Sequence, residues 1–359
     1  KSVLRVLRGA WLTQGPRVEE FEDKVSESVG ASFAVAFSSA SAALHGAAWA
    51  VGLGPGDLGI TSPLTFVAST NAMRHVGAEV DVVDIKRDSW NIDLSLVPSN
   101  ASVVMPVHFA GLPVDLGSWQ TDGNLPRIIE DASHALGAST PAGPVGNCAH
   151  SDVTCFSFHP VKPITTGEGG IAVTQDAEIF ERLRRFRNHG IIRKDKDTPW
   201  RYEVNEVGFN YRMSEIHAAL GVAQIKKLKK FISIRNEQAA FYRERLANVE
   251  IGLPPAPNTG FTHGYHLFPI LVEGREACIR ELHRRGIGAQ VHYIPVHTLA
   301  VNKDMQASKK NLPVIEEISP KILSLPIHPG LVQSDLDFIV ASLKEFLRRR
   351  VTKGREVSG

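Results

Sequence analysis

Short runs of β-branched and aliphatic residues recur through the first half of this chain, and helical patterns rather than hairpin turns separate most of them. Residues 34–37, 60–62, 80–84, 103–107, 127–130, 153–158 and 171–174 read as strands. Val18, Phe21, Val25 and Val29 mark one face of a helix, with Pro16, Glu19 and Glu20 suited to its start and Gly30 to its end. Residues 42–51, 66–76, 177–188 and 213–230 carry further helical patterns. This alternation predicts an α/β fold, a mostly parallel central sheet with helices on both faces. Ligands of such sheets sit beyond the carboxyl ends of the strands. Ser41, Phe66, Asp131, His134 and Lys162 all fall at those ends, so separate segments aim at one crevice.

The stretch Ser157-Phe158-His159-Pro160-Val161-Lys162-Pro163, followed by Gly167-Glu168-Gly169-Gly170, joins the last two of these strands. Two prolines and a glycine-rich run describe a shaped loop whose backbone approaches something closely. A lysine desolvated in that loop could act as an amine nucleophile. Taken alone, the stretch also fits a solvated loop lysine. At residues 38–41, small hydroxyl residues lie between a strand and a helix start. Free N–H groups and the positive dipole end would converge there on a phosphate, although serine is also a common N-cap.

Composition narrows the partners. At 359 residues the chain is long enough for one large core and a smaller second one. Its net charge of +2 gives no footing for nucleic acid or an acidic membrane. The cysteines, Cys148, Cys155 and Cys278, are odd in number and lack metal-ligand spacing, which fits a reducing compartment, so the expected location is cytoplasmic. No apolar run approaches a membrane span, and no signal-peptide pattern opens the chain. Residues 1–10 look helical but have no cap, as expected of a segment that follows a further lead sequence.

A proline- and glycine-rich connector at 252–264 precedes a strand at 266–272, a helix at 275–285, a strand at 289–292 and a final helix at 334–350. These make a smaller α+β unit, and the expected division is 1–235 and 236–359. Arg348, Arg349 and Arg350, with Lys353 and Arg355, form a basic patch that suits the end of that last helix.

A lysine, an aspartate, an aromatic ring and a serine-rich helix start together match the needs of pyridoxal phosphate. That cofactor requires an amine for its Schiff base, a carboxylate beside its ring nitrogen, donors for its phosphate and a flat group on its ring. A carboxylate at Asp131 would form a charge-assisted pair with the pyridinium.

The same stretches, from Ser157 to Gly170, resemble the lysine motif of the DegT/DnrJ/EryC1/StrS nucleotide-sugar aminotransferases. The likeness extends to Trp11-Leu12-Thr13-Gln14-Gly15-Pro16, Thr61-Ser62-Pro63-Leu64-Thr65-Phe66, Glu130-Asp131-Ala132-Ser133-His134, Gly208-Phe209-Asn210-Tyr211-Arg212-Met213 and Leu325-Pro326. It implies a type I pyridoxal-phosphate (aspartate aminotransferase-like) fold, with a seven-stranded-sheet domain, a smaller C-terminal domain and homodimers with shared sites. It assigns Lys162 to the Schiff base and to proton shuttling, Asp131 to the pyridine nitrogen, His134 to the ring hydroxyl and Phe66 to stacking. Ala40, Ser41 and Ser157 fall in the phosphate cup, and Asn210 matches an asparagine that reaches the phosphate from the partner subunit. Leu12, Thr13, Gln14, Gly15, Ser39, His292, Tyr293, Ile294 and Pro295 match substrate-lining positions. Ser41 stands where the family usually has threonine, and Leu58-Gly59 where it usually has Glu-Val.

Within the family, residues 160–166, 199–203 and 292–297 most resemble the pseudaminic-acid branch. That likeness implies glutamate as amino donor and C4 of a UDP-linked 4-keto sugar, UDP-2-acetamido-2,6-dideoxy-β-L-arabino-hexos-4-ulose, as acceptor. Arg193, Lys194, Lys196 and Arg201 could meet the diphosphate or form a solvated basic loop. Other readings are a perosamine-type aminotransferase, a sugar dehydratase with histidine in place of the lysine, or a sugar-binding regulator without catalysis. Lys162 and Asp131 speak against the last two. A zinc site at His266, His292 and His297 lacks helical spacing and a Cys or carboxylate partner, so no metal is expected.

Overall fold

Burial on both faces explains why the strands read as nearly unbroken apolar runs. The computed structural model describes residues 1–119, 125–193, 200–309 and 311–357, with the side chains of 308–309 and 351–357 left out of the description. Its central sheet comprises β1 (Phe33–Phe37), β2 (Leu58–Thr61), β3 (Glu79–Val82), β4 (Val103–Met105), β5 (Arg127–Asp131), β6 (Val153–Ser157) and β7 (Gly170–Thr174). The spatial order is β1-β7-β6-β5-β4-β2-β3. Every neighbouring pair from β6 to β3 is parallel, whereas β7 runs antiparallel to both β6 and β1. The register of β5 on β6 sets Asp131 opposite Cys155, which brings the ends of these two strands side by side.

The strand period of two splits the sheet between two cores. Val35, Phe37, Cys155 and Ala172 pack with α3 (Ala40–Ala50), α4 (Ala68–His75) and α5 (Ala177–Arg187). Ala34, Ala36, Phe156 and Val173 point the other way, toward α2 (Pro16–Val29) and α6 (Glu215–Ile225). Ahead of α2 lies a short α1 (Ser2–Leu7). Gly15 caps α2 without a side chain, and a carboxylate two hundred residues away supplies the missing acceptors. Glu215 takes the amides of Gly15 at 3.1 Å, Arg17 at 2.9 Å and Val18 at 3.1 Å. A side chain at Gly15 would collide with that carboxylate.

A third core gathers β8 (Phe268–Leu271), β9 (Ile322–Leu325), α8 (Arg275–Arg284), α10 (Gln333–Val357) and the far half of α7 (Leu228–Leu246). The expected division at 235/236 therefore falls inside one continuous helix. Arg235, only 2% exposed, donates from one guanidinium nitrogen to the carbonyls of Tyr265, His266 and Ile327, tying α7 to this unit. Residues 296–307 and 312–318 return to the first core instead. There Asp84 accepts the amides of Val314 and Ile315 and so starts α9 (Pro313–Ile318).

Several expected elements differ in detail. The helix expected at 213–230 is two, broken where Lys227 donates back to Gln224 in a tight turn. The helix expected at 66–76 begins at Ala68, because Thr65 and Ser69 bond to each other at 2.8 Å across its start and Phe66 stays in the loop. The strand expected at 289–292 is a single bridge from Gln290 to Ser324. The last helix runs on to Val357, so Arg348–Arg350 lie within it rather than at its end.

Candidate active site

Beyond the ends of β5 and β6, facing the start of α3, lies a cleft of about 260 Å³. Ser39, Ala40, Ser41, Ser157, Phe66, Asp131, His134 and Lys162 are among its lining residues. All five strand-end residues singled out by the sequence thus meet in one place. Ser39 caps α3 by accepting the Ala42 amide at 3.1 Å. The amides of Ala40 and Ser41 have no acceptor among the described residues and lie at a helix start, where the dipole favours an anion. Gly170 lets β7 press against this turn, because a side chain there would overlap the Ala40 amide and the Ser39 carbonyl carbon.

Asp131 is buried and held from both sides. Ser69 donates to its Oδ2 at 2.7 Å, while the hydroxyl and amide of Ser133 reach Oδ1 at 2.6 and 3.2 Å. Lys162 is half-buried, and its amine lies 3.4 Å from His266 Nε2. Desolvation lowers the lysine to about 8, with the Asp131 charge opposing that drop. His134 is buried, contacts the Tyr293 hydroxyl at 3.0 Å, and lies well below the usual histidine range because burial and then the Lys162 charge disfavour its cation. Its Nδ1 finds no partner among the described residues. Phe66 keeps 56% of its surface exposed beside the cleft, 5.9 Å from the Tyr293 ring.

The remaining candidates lie elsewhere. Leu12, Thr13, Gln14 and Gly15 sit at the α2–α6 contact, where Leu12 accepts the Glu215 amide and Thr13 bridges Ser214. Asn210 is exposed and bridges Asn188. Neither group lines this chain's own cleft. His292 accompanies Lys162 in an adjoining groove of about 1050 Å³, Tyr293 reaches the cleft through His134, and Ile294 is exposed. Pro295 accepts from Thr298 beyond it. Lys194, Lys196 and Pro199 lie outside the described residues. Ser69 and Ser133, both on Asp131, were not singled out from sequence. Ser69 lies three residues past Phe66 and donates its amide to the Phe66 carbonyl at 3.2 Å, a spacing that could have flagged it.

The sequence profile of the DegT/DnrJ/EryC1/StrS aminotransferase family matches residues 1–344. The chain belongs to that family. The UDP-4-amino-4-deoxy-L-arabinose–oxoglutarate aminotransferase of Shewanella sediminis is 35% identical, with 96% of this chain and 94% of the relative aligned. Helicobacter pylori PseC, an aminotransferase of pseudaminic-acid biosynthesis, superposes with a TM-score of 0.88 at 31% identity over 97% of this chain and 95% of its own. A sugar aminotransferase of Streptococcus pneumoniae in its pyridoxal-phosphate form gives 0.88 at 27% identity, over 97% and 95%. This family member is accordingly a pyridoxal-phosphate-dependent sugar aminotransferase. Its cleft suits that cofactor, with a desolvated amine, a fixed carboxylate, an exposed ring, unpaired helix-start amides and an orphaned His134 nitrogen. Among the described residues no group of three or more His, Cys, Asp or Glu could hold a metal ion. No helix among them is long and apolar enough to cross a membrane.

Proposed function

We propose that this chain transfers the amino group of glutamate to C4 of a UDP-linked 4-keto-6-deoxy-N-acetylhexosamine, with UDP-2-acetamido-2,6-dideoxy-β-L-arabino-hexos-4-ulose as the acceptor. The observation that carries this reading is the meeting of Lys162, Asp131 and the α3 start in one cleft, in a chain whose residues 160–166 and 292–297 resemble the pseudaminic-acid branch. The named activity of the Helicobacter pylori relative supports the same branch.

Lys162 would hold the cofactor through its amine and, when that amine is free, would take up and return a proton at Nζ. Its lowered basicity suits both tasks, since a deprotonated amine is the nucleophile and the base. The bound pyridine ring supplies an electron sink for amino-group transfer. Asp131, fixed by Ser69 and Ser133, would hold a protonated ring nitrogen, and Phe66 would pack against the ring. The Ala40 and Ser41 amides, with the Ser157 hydroxyl, would hold the phosphate, and His134 would hold the ring hydroxyl.

Asn210 and residues 12–15 serve the cleft of a second copy, which makes the working unit a homodimer. Trp11, Leu12, Trp200, Tyr202 and Val207, all more than half exposed, offer the apolar surface such a dimer would cover. The decisive experiment supplies glutamate with the β-L-arabino and D-xylo 4-keto epimers side by side and follows product mass and stereochemistry. Preference for D-xylo would remove the chain from this branch. A UDP-linked 4-keto pentose is the second reading, because the 35% identical relative is named for a 4-amino pentose, UDP-4-amino-4-deoxy-L-arabinose, which amino transfer to such a ketone would give. Faster turnover of it in the same assay would favour that reading.

A further inference from the structure

His266 precedes β8 in the smaller unit, yet its ring lies at the lysine of the large sheet. Its Nε2 stands 3.4 Å from the Lys162 amine, and its ring centroid is 4.5 Å from that of His134. The residue is 5% exposed, and its backbone is pinned, because Arg235 holds the His266 carbonyl at 3.2 Å and the neighbouring Tyr265 carbonyl at 3.0 Å. Arg235 is itself buried on α7, so the imidazole is fixed by the join between the two units rather than by a loose loop.

We propose that His266 is a positioning residue for Lys162, which accepts a hydrogen bond from the amine whenever that amine is not bonded to the cofactor. This rests on the reading above that Lys162 is the cofactor-bearing lysine. A lysine ammonium can only donate, so Nε2 must be the acceptor and the ring proton lies on Nδ1. The ring stays neutral because burial, and then the Lys162 charge, disfavour a second proton. An amine released into the cleft would otherwise sample several rotamers of a four-carbon stem. Tethered to His266, it returns to one position between proton transfers, which is what repeated shuttling at a single carbon requires.

The groups facing the amine are Asp131 on the sheet, His134 after β5, and His266 and His292 from the smaller unit. His134 and His292 are held by Tyr293 and Ser324, at 3.0 and 2.9 Å. Of these histidines, His266 is the one whose ring nitrogen lies within hydrogen-bond distance of the lysine amine.

The test uses the full chain freed of cofactor. Lys162 is labelled competitively with acetic anhydride across pH, and peptide mass spectrometry reports its apparent titration midpoint. Replacing His266 by Phe removes an acceptor of the charged form, so the midpoint should fall by about one unit. His266→Gln, which presents an acceptor oxygen, should recover most of that shift. In the loaded enzyme the acidic limb of the kcat profile, which reports the substrate complexes in which the amine is free, should move in parallel while glutamate KM changes little. If His266→Phe fails to fold, His266→Met carries the same expectation. An unchanged midpoint in a folded Phe or Met variant overturns the proposal and leaves His266 a packing residue. Borohydride fixation of cofactor on a different lysine would instead overturn the role of Lys162, so the two failures are distinguishable.

Discussion

Ser69 donates its hydroxyl to Asp131 Oδ2 at 2.7 Å, from a helix that belongs to a different βα segment than the aspartate. With Ser133 on the other oxygen, the carboxylate cannot rotate away from the cleft. Ser69→Ala should therefore leave the fold intact and lower kcat/KM roughly tenfold, the scale of one hydrogen bond to a charged group. Steady-state assays with glutamate and the keto sugar check this, and an unaltered kcat/KM would show that Ser133 alone suffices.

Removing the charge itself should cost more. Asp131→Asn should keep the fold and part of the cofactor affinity, while each half-reaction slows on the order of a hundredfold or more. Single-turnover spectra of both half-reactions measure it. Turnover equal to the parent would end the assignment of Asp131 to the ring nitrogen.

Lys162 makes a prediction about stability as well as chemistry. Its folded value near 8 lies below the ordinary lysine value of 10.5, so the unfolded chain binds more protons than the folded one between those two pH values. The penalty is fully present below pH 8 and disappears as pH rises through 10.5. Lys162→Met should abolish amino transfer yet stabilise the cofactor-free protein at pH 7 by about 1–2 kcal/mol, after discounting for partial exposure. Urea melts at pH 7 and pH 10 provide the comparison. A gain that grew with pH would contradict the sign.

The proposed sharing of sites between copies has its own signature. Inactive Lys162→Ala chains mixed with inactive Asn210→Asp chains should regain about a quarter of parental activity, because half of the chains enter hybrid dimers holding one intact site of two. Mass spectrometry of the exchanged dimers must accompany the assay. Exchange without recovered activity would place Asn210 outside the partner's cleft.

Much of this site could be read from residue order because its groups are strand-end residues. Once 127–130 and 153–158 were strands of a parallel sheet, Asp131 and the Lys162 loop had to emerge on the same side. The α3 start was legible for a similar reason, as Ser39 and Ser41 bracket a strand-to-helix turn. Contacts made across the fold were not. Ser69 meets Asp131 through tertiary packing, and His266 meets Lys162 from another unit, so neither pairing leaves a local pattern. His266 was noticed only as an unconvincing metal ligand. The break between α6 and α7 also escaped, since no glycine or proline marks it and one apolar pattern runs through both helices. Gly15 matched a substrate-lining motif, whereas in its own chain it admits the Glu215 carboxylate to the start of α2.

The helix that carries Arg235 has a mechanical consequence. An unbroken rod from Leu228 to Leu246 enters both halves of the molecule, and its buried guanidinium grips three carbonyls on the far side. Such a rod is a crankshaft without a bearing: it cannot flex at the join without losing backbone bonds. Clamshell closure around the substrate would have to bend it. Resistance to that bend lies with Arg235, whose hold on three carbonyls would have to loosen if the two cores moved apart.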